Sequence, residues 1–540
     1  MKKITESNAA AYTLILIAVT FLIRIWIAAY TGLGIGESYY FRGALNLNLS
    51  YFDQPPLFFW LSGVSVKLLG LNNLGLRFPA VLLFAGTSWL LFLITRRFFN
   101  VRAGFWAVVM MNLSAVFTIA IACWFQPDAP LMFFWLASAY VMVQIMFDPQ
   151  NDKPNVNYHT KKIYLLWILV GILMGLATLS KYHVIFLFAG VFIFVGTNRN
   201  QRHWLTHPGP YLAIVIAFIF ALPVLLWNYH NNWVSFVFQG SRAGTGEKFQ
   251  LHPEWFLRSI AGQALWLLPW VWYPLVVQLV KSYKNRSKQV YSFNFWIAIL
   301  PLVFFTVVTL WSNLQYHFHW QAPGYMMLFI PLGYAIDQKL NGPVKEGRGT
   351  RRLIRFSVCF TVITIGVLSL HMVTGFWQWY GPKWIVKTAH GDNVDPTIQG
   401  VDYDDIKVRF EKEGWLNNPR IFTGATRWWL TGKVDWAMRG QKPIICFSDD
   451  PRNLAFLVDP NKLIGQDAVL IGQEHAESIN TDAKPFFDEV KQLPDIAIMR
   501  SGRDELHLQV YYCRNFHLPK SPRNDLPLYH QLTGRPPFGK

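Results

Sequence analysis

The sequence predicts a polytopic α-helical membrane protein that ends in a soluble α/β domain. Of its 540 residues, 53% are hydrophobic and only 15% are charged, which is less charge than a soluble chain of this length carries. The apolar residues come in runs of about 20, the length that crosses ~30 Å of hydrocarbon. Beyond residue 378 charges become frequent and strand-like runs alternate with helix-like ones. We therefore predict a transmembrane domain over 1–377 and an α/β domain over 378–540.

The basic residues indicate how the chain crosses the membrane. The formal net charge is +18, but Lys and Arg fall mostly in short loops on one side of the predicted spans. This is the positive-inside pattern, so anionic lipid headgroups rather than nucleic acid are the expected partner. The same alternation places Glu37, Asp53, Asp128, Lys181 and His319 together on the outer side. We expect the functional site and the C-terminal domain there.

The spans are predicted from the apolar runs, with about eleven crossings. The loop over 31–78 is too rich in polar residues, Pro and Gly to cross, and should hold one or two helices along the outer surface. Predicted spans cover 10–30, 77–97, 104–122, a run after 130, two runs that meet at 180–183, one ending at 227, one ending before 281, one ending near 313, 323–339 and one ending near 377.

The C-terminal region is predicted to contain strands at 443–447, 468–471 and 508–512 and a helix at 404–412. Four cysteines are too few for a disulfide scaffold, although a bridge between Cys446 and Cys513 stays open. The sequence contains no phosphate-binding glycine loop, no zinc-spaced Cys/His set and no internal repeat. The last residues, rich in Pro and Arg, are predicted to form a loose tail.

Two stretches after the first span organise the predicted site, Gly36 to Tyr40 and Tyr51 to Leu57. A carboxylate at a membrane surface is costly unless it faces water, a cation or a polar substrate. Tyrosines beside these acids suit an interface, and Pro55-Pro56 forces a change of direction before the next helix. We interpret the stretch as the floor of a site outside the bilayer. The alternative is an interfacial loop with solvated acids.

The outer residues have chemistry that suits such a site, and each has a plainer alternative. Carboxylates serve as general bases or as ligands of a divalent cation, and a lysine holds a phosphate as a point charge. His319 would donate a hydrogen bond or titrate near neutral pH. Asp128 would otherwise be a helix N-cap and Lys181 a snorkelling side chain. Trp124, Trp233 and Trp320 would stack on sugars or anchor the chain at the interface.

The order of several motifs resembles a known family. These are Glu-x-Tyr-Tyr from Glu37, Tyr-Phe-Asp-Gln-Pro-Pro-Leu from Tyr51, Arg-Phe-Pro-Ala from Arg77, Pro-Asp-Ala-Pro-Leu from Pro127, Leu-Ser-Lys-Tyr from Leu179 and Trp-Asn-x-x-x-x-Trp-Val-Ser-Phe from Trp227. They are similar to the bacterial branch of the protein O-mannosyltransferase-like glycosyltransferases of the GT-C superfamily. The resemblance implies a GT-C fold in an inner membrane. It also implies transfer of a sugar from a polyprenyl-phosphate carrier, on the extracytoplasmic side, to a lipid, glycan or protein.

Two positions depart from the family pattern. Its first outer loop usually carries Asp-Glu, where this chain has Gly36-Glu37, and its Asn-Trp-Pro-Ala-Pro reads His-Trp-Gln-Ala-Pro from His319. Asp53, Asp128 and Lys181 do match family positions. Either Glu37, Asp53 or Asp128 therefore takes the catalytic role, or the protein binds lipid-linked sugar or a partner enzyme without transferring anything.

The expected substrate contacts follow from the same loops. The carrier phosphate is predicted to lie near Lys181 and Arg242, and a metal held by Glu37 and Asp128 stays open. A transporter is a third alternative, and it predicts paired half-helices and ionisable residues in the membrane. The sequence shows Arg24 within the first span but no pair of broken helices. The predicted substrate-binding residues are Tyr39, Tyr40, Lys181, Tyr182, Arg242, His319 and Trp320.

Overall fold

The structure, a computed structural model, describes residues 4–148, 158, 160–244, 250–312, 314, 317–377, 395–448, 450–473 and 479–518. Helices α1 to α8 run over Ala9–Tyr30, Ile35–Leu45, Leu57–Leu69, Asn73–Phe98, Val101–Asn112, Asp128–Met146, Lys161–Ser180 and Ile185–Thr197. Helices α9 to α15 run over Pro208–His230, Val234–Arg242, Pro253–Leu267, Pro269–Lys284, Gln289–Val307, Ala322–Asn341 and Val344–Thr374. Helices α16 and α17 run over Asp404–Lys412 and Trp428–Ala437. Strands β1 to β5 run over Ile421–Ala425, Ile444–Cys446, Asp467–Gln473, Phe487–Arg500 and Arg503–Phe516.

The chain is a multi-span membrane protein. Within the described residues, 7 helices are long and apolar enough to cross a bilayer, and two bent helix pairs raise that number to at most 9. The predicted eleven crossings are therefore not confirmed. The predicted outer loop does contain two helices, α2 and α3. The third predicted span is divided into α5 and a π-helix over Val116–Ile121.

Two membrane helices are broken, although the sequence predicted no broken pair. The eighth predicted span is the pair α11 and α12, which meet at an angle of 112°. Pro269 begins α12 and cannot donate an amide hydrogen bond to α11, and Leu268 before it has a φ of 70°. A second bend, of 119°, separates Tyr182–Thr197 from Arg199–Leu205.

The C-terminal domain is built on a five-stranded mixed sheet in the order β2-β1-β3-β5-β4. β1 is parallel to β2 and β3, whereas β5 is antiparallel to β3 and β4. The predicted strands and the helix α16 are present, but β1 and β4 were missed. Cys446 and Cys513 are both free thiols on strands that do not pair, so the bridge that the sequence left open between them is not formed. The predicted tail lies outside the described residues apart from its first few.

The sheet domain docks on the first outer loop through α17 and α2. A Cβ on Gly432 of α17 would lie 2.7 Å from the Cα of Tyr39, so only glycine allows the two helices to approach this closely. Arg42 of α2 forms an ion pair with Asp435 at 2.6 Å. Lys433 donates to the carbonyl oxygens of Leu33 and Val401, and burial lowers its pKa to about 8. These contacts hold the sheet domain over the predicted site. The domain boundary near 377 stays a prediction, because 378–394 are outside the described residues.

Candidate active site

Asp53 occupies the loop between α2 and α3. The Tyr51 hydroxyl pins this loop, since it donates to the Gly43 carbonyl at 2.8 Å and accepts from the Asn48 amide at 3.0 Å. The Asp53 carboxylate is 3% exposed. Its Oδ2 accepts a hydrogen bond from the Tyr40 hydroxyl at 3.3 Å, and its Oδ1 has no partner within the described part of the chain. Asp53 thus presents one free carboxylate oxygen in a buried site.

The protonation of Asp53 is balanced between burial and neighbouring cations. Burial raises its pKa to about 6, while Arg452 and Arg242 act in the opposite direction. The carboxylate is therefore mostly ionised at neutral pH but accepts a proton readily. A pKa near the working pH is the property that a general base requires.

Three cations follow one another along a series of aromatic rings, and we call this set the cation row: Lys181, Arg242 and Arg452. Arg242 and Arg452 are the members whose charges act on Asp53. Lys181 and Arg242 lie 5.7 Å and 5.0 Å from the ring centroid of Trp320. Arg242 and Arg452 lie 5.5 Å and 5.8 Å from the Phe238 ring, and Arg452 stacks on Trp428 at 3.9 Å. Such a row can hold an anion and stabilise negative charge that develops on it.

Lys181 is fixed by Asp128. The Lys181 Nζ lies 2.9 Å and 3.0 Å from the two Asp128 carboxylate oxygens, and both side chains are buried. Burial lowers the pKa of Lys181, and Asp128 acts against that shift. The alternative of Asp128 as a helix N-cap is wrong, because its side chain makes no capping hydrogen bond at the start of α6. The alternative of Lys181 as a snorkelling side chain is also wrong, because its ammonium group is buried.

Both oxygens of the Glu37 carboxylate are already engaged in hydrogen bonds. Arg77 of α4 binds both of its oxygens, at 2.7 Å and 2.6 Å. The amides of Phe125 and Gly34 donate to the same oxygens at 2.8 Å and 2.9 Å. With every oxygen already accepting two hydrogen bonds, Glu37 has no capacity left to act as a base. We therefore correct its predicted catalytic role to one of holding the outer loops together.

The suggested metal ligands do not fit a metal. The Glu37 oxygens face a guanidinium and two amides, and the Asp128 oxygens face an ammonium, all of which are donors. No group of three His, Cys, Asp or Glu side chains comes together in the described ranges.

The outer histidines are neutral. Burial, with the charges of Lys181 and Arg242, lowers the pKa of His319 to about 4, and burial with Arg242 lowers that of His317 to about 2. The neutral His317 Nε2 accepts a hydrogen bond from Arg242 at 2.6 Å. The expectation that His319 titrates near neutral pH is therefore wrong.

The predicted tyrosines and tryptophans separate into different places. Tyr40 contacts Asp53, whereas the Tyr39 hydroxyl accepts the Asn453 amide at 2.8 Å and so anchors the sheet domain. Tyr182 is half-buried, and its ring lies 5.6 Å from the Phe236 ring. The Trp320 ring lies against Lys181 and Arg242 of the cation row. Of the other tryptophans, Trp124 packs on Trp266 at 6.3 Å and Trp233 is largely exposed.

Arg452, which was not among the predicted site residues, reaches the site from the C-terminal domain. It follows β2, pairs with Asp450 at 3.0 Å and has a φ of 51°, a conformation that few L-residues adopt. The adjacent Asn453 Oδ1 accepts the Phe52 amide at 3.3 Å, which fixes this loop against the loop that carries Asp53. About 400 residues separate the two loops, so only the tertiary structure joins them.

Comparison with known proteins gives the same fold. The family model for dolichyl-phosphate-mannose-protein mannosyltransferase matches residues 53–227. The chain is 25% identical over 315 residues to the undecaprenyl phosphate-alpha-4-amino-4-deoxy-L-arabinose arabinosyl transferase 2 of Pseudomonas fluorescens, covering 56% of this chain and 52% of that protein. The Yersinia pestis transferase of the same description is 22% identical over 273 residues, covering 48% and 46%. The chain thus spans about half the length of the curated relatives it matches.

Solved structures extend the likeness to most of the chain. ArnT from Cupriavidus metallidurans bound to undecaprenyl phosphate has a TM-score of 0.62 at 14% identity, covering 93% of this chain and 97% of that one. The apo oligosaccharyltransferase of Archaeoglobus fulgidus has a TM-score of 0.50 at 11% identity, covering 98% and 76%. The chain has the GT-C fold, and its sequence is similar to the mannosyltransferase-like glycosyltransferases of that superfamily.

Proposed function

We propose that this protein is a membrane glycosyltransferase that moves a sugar from a polyprenyl-phosphate carrier to an acceptor on the extracytoplasmic face. The observation that carries the proposal is Asp53, whose free, buried Oδ1 lies beside the cation row. A base and a phosphate-binding group are the two functions that this transfer requires. The relatives described as acting on undecaprenyl phosphate sugars, and the ArnT complex with undecaprenyl phosphate, support the choice of donor.

The reaction is a single displacement at the anomeric carbon, which inverts its configuration. An acceptor hydroxyl attacks this carbon while its proton passes to the Asp53 carboxylate. The bond from the anomeric carbon to the phosphate oxygen breaks, and the polyprenyl phosphate leaves with the electron pair. Its charge rises from −1 to −2 as Asp53 becomes neutral, so the total charge of the site is conserved. Lys181, Arg242 and Arg452 would stabilise the charge that gathers on the leaving phosphate.

The other residues position these groups. Tyr40 donates to Asp53 Oδ2 and leaves Oδ1 for the acceptor proton. Asp128 holds the Lys181 ammonium, and neutral His317 orients the Arg242 guanidinium. Because the leaving group is already a phosphate ester, orientation and charge stabilisation supply most of the catalysis required.

One observation favours a second candidate, a non-catalytic relative that binds lipid-linked sugar or a partner enzyme. Gly36 stands where the family usually has Asp, and a Cβ built on it would meet no atom within 4 Å. The position is therefore open but carries no acid. In this second candidate the cation row would bind the carrier phosphate, but no base would take the proton from an acceptor.

The proposed location is an inner membrane with the sheet domain on its outer side. The basic loops are predicted to face the cytoplasm, and the sheet domain contacts the opposite, Asp53 end of the chain. We propose the division into domains at 377/378 on the same grounds. The acceptor, whether lipid, glycan or protein, must present a hydroxyl or amine outside the membrane.

The test uses purified protein in lipid with radiolabelled polyprenyl-phosphate hexoses and pentoses and a membrane extract as the acceptor pool. Wild type is compared with Asp53→Asn, Asp128→Asn and Glu37→Gln. We expect transfer by wild type, near-complete loss in Asp53→Asn with folding intact, and loss of folded protein in Glu37→Gln. If no donor supports transfer although polyprenyl phosphate still binds, the binding-protein alternative is correct.

A further inference from the structure

Arg24 is a buried cation in a membrane helix that the proposed reaction does not use. Its Nη2 donates to Asn112 Oδ1 at 2.7 Å and to Thr118 Oγ1 at 2.6 Å, and its guanidinium lies 4.6 Å from the Phe84 ring centroid. Throughout the described ranges no carboxylate lies within 4.0 Å of it and its Nη1 has no acceptor. A charge in this setting is expensive, and such residues usually have an anionic or polar partner.

A cavity of about 920 Å³ opens beside Arg24, between α1, α5 and α15. Its lining is almost entirely apolar, and includes Ile23, Trp26, Val109, Val358 and Ile365. Along α15 it extends from Ile354 to Ser369, which corresponds to roughly 22 Å of helix. The cavity is an open groove, and apolar side chains of α1 such as Ile15, Val19 and Ile23 are exposed beside it, as expected of a surface that faces lipid. Its length and chemistry fit a hydrocarbon chain.

We propose that this groove binds one anionic phospholipid, with an acyl chain along α15 and its phosphate at Arg24. Charge complementarity selects this occupant, because a guanidinium with a free N–H pairs with a phosphate oxygen in a charge-assisted hydrogen bond. A neutral lipid would fill the groove but leave the Arg24 charge uncompensated. Arg24 lies six residues before Tyr30, the outer end of α1, so the lipid belongs to the outer leaflet.

The lipid would act on the site through α1. Thr31, at the end of this helix, accepts two hydrogen bonds from Arg77 through its carbonyl and hydroxyl oxygens, at 2.7 Å and 2.9 Å. Arg77 in turn holds Glu37. An anionic lipid between α1 and α15 would therefore stabilise the helix on which the outer loops are anchored. The binding itself does not depend on transferase activity.

Native mass spectrometry of the full-length protein, exchanged into an equimolar mixture of phosphatidylglycerol and phosphatidylcholine, tests the proposal. We expect wild type to retain one phosphatidylglycerol with about a tenfold preference, which corresponds to about 1.4 kcal/mol. Arg24→Gln should lose the preference. Arg355→Gln is the matched control, since this residue lines the cytoplasmic end of the same groove and is exposed. It should keep the preference.

A second pair of variants tests the groove without touching a charge. Gly366 lines the groove and Gly349 lies on the same helix outside it, and a Cβ on either meets no atom within 4 Å. Gly366→Phe should displace the lipid and Gly349→Phe should not. This comparison tests lipid binding in the groove even if Arg24→Gln does not fold. An unchanged preference in Arg24→Gln, or a loss confined to Arg355→Gln, would overturn the proposal. Retention of the lipid by Gly366→Phe would overturn it as well.

Discussion

Asp53→Asn is predicted to abolish transfer and to stabilise the protein. Asn has nearly the same shape as Asp, and it can still accept the Tyr40 hydroxyl bond through its amide oxygen. It cannot take a proton from the acceptor, however. Because general base catalysis contributes about 10²–10⁴ in rate, we expect the turnover number to fall by about that factor. The KM for the donor should change little, since the cation row is intact.

The predicted gain in stability follows from the pKa of Asp53. This pKa is about 6 in the folded protein and 3.8 for the unperturbed group. The folded state therefore binds the proton more tightly than the unfolded chain, and ionised Asp53 opposes folding. At pH 7.5 the unfavourable contribution is about 3 kcal/mol. It is absent below pH 3.8, grows as the pH rises from 3.8 to 6, and is complete above pH 6. The Asn variant lacks it at every pH.

Two measurements check this prediction. Transfer by wild type should rise about tenfold per pH unit below pH 6 and level off above it, and Asp53→Asn should lack that rise. Thermal unfolding in detergent should show the variant to be more stable than wild type at pH 7.5, with a difference that shrinks toward pH 4. A variant that still transfers sugar at the wild-type rate would refute Asp53 as the base. If wild type and Asp53→Asn were equally stable at pH 7.5, Asp53 would not be buried as a charged, unpaired group.

Three further predictions concern the neighbours of Asp53. Lys181→Met leaves the buried Asp128 charge without its partner, so thermal unfolding should show a loss of stability of about 3–5 kcal/mol. The double variant Lys181→Met with Asp128→Leu should recover most of that loss, because it removes both charges. Arg452→Gln should raise the donor KM by about 10–100-fold in transfer assays, the effect of one hydrogen bond to a charged group, while Arg514→Gln on the sheet surface should not. Gly36→Asp should fold normally and change transfer little, and activity that appears only in this variant would instead support the non-catalytic reading.

Much of the membrane half could be predicted because its signals are local. Apolar runs and basic loops mark helices directly, and α1, α4 and α7 begin or end within a few residues of the predicted positions. The bend between α11 and α12 was missed because hydropathy is continuous across it. Pro269 was the available signal, and prolines within helices such as Pro223 and Pro301 show why it was not decisive.

The acids of the site illustrate what a sequence can and cannot separate. Glu37, Asp53 and Asp128 all follow apolar segments and all stand near prolines or tyrosines, so their local contexts are equivalent. They differ in their partners, since Arg77 holds Glu37 and Lys181 holds Asp128, whereas no cation among the described residues forms an ion pair with Asp53. Arg77 is 40 residues from Glu37 and Lys181 is 53 residues from Asp128, so no pattern in the sequence reveals which acid is free.

The contribution of the C-terminal domain to the site could not be predicted from local sequence patterns. Arg452 reaches the site only because Gly432 allows α17 to approach α2 and because Arg42 and Asp435 form an ion pair across the contact. Each of these residues is ordinary in its own segment. Together they hold the loop after β2 against Phe52, one residue from Asp53. The charge environment of the predicted base therefore depends on the docking of a separate sheet domain, and changes at the contact between α17 and α2 should alter the pKa of Asp53 without touching the membrane helices.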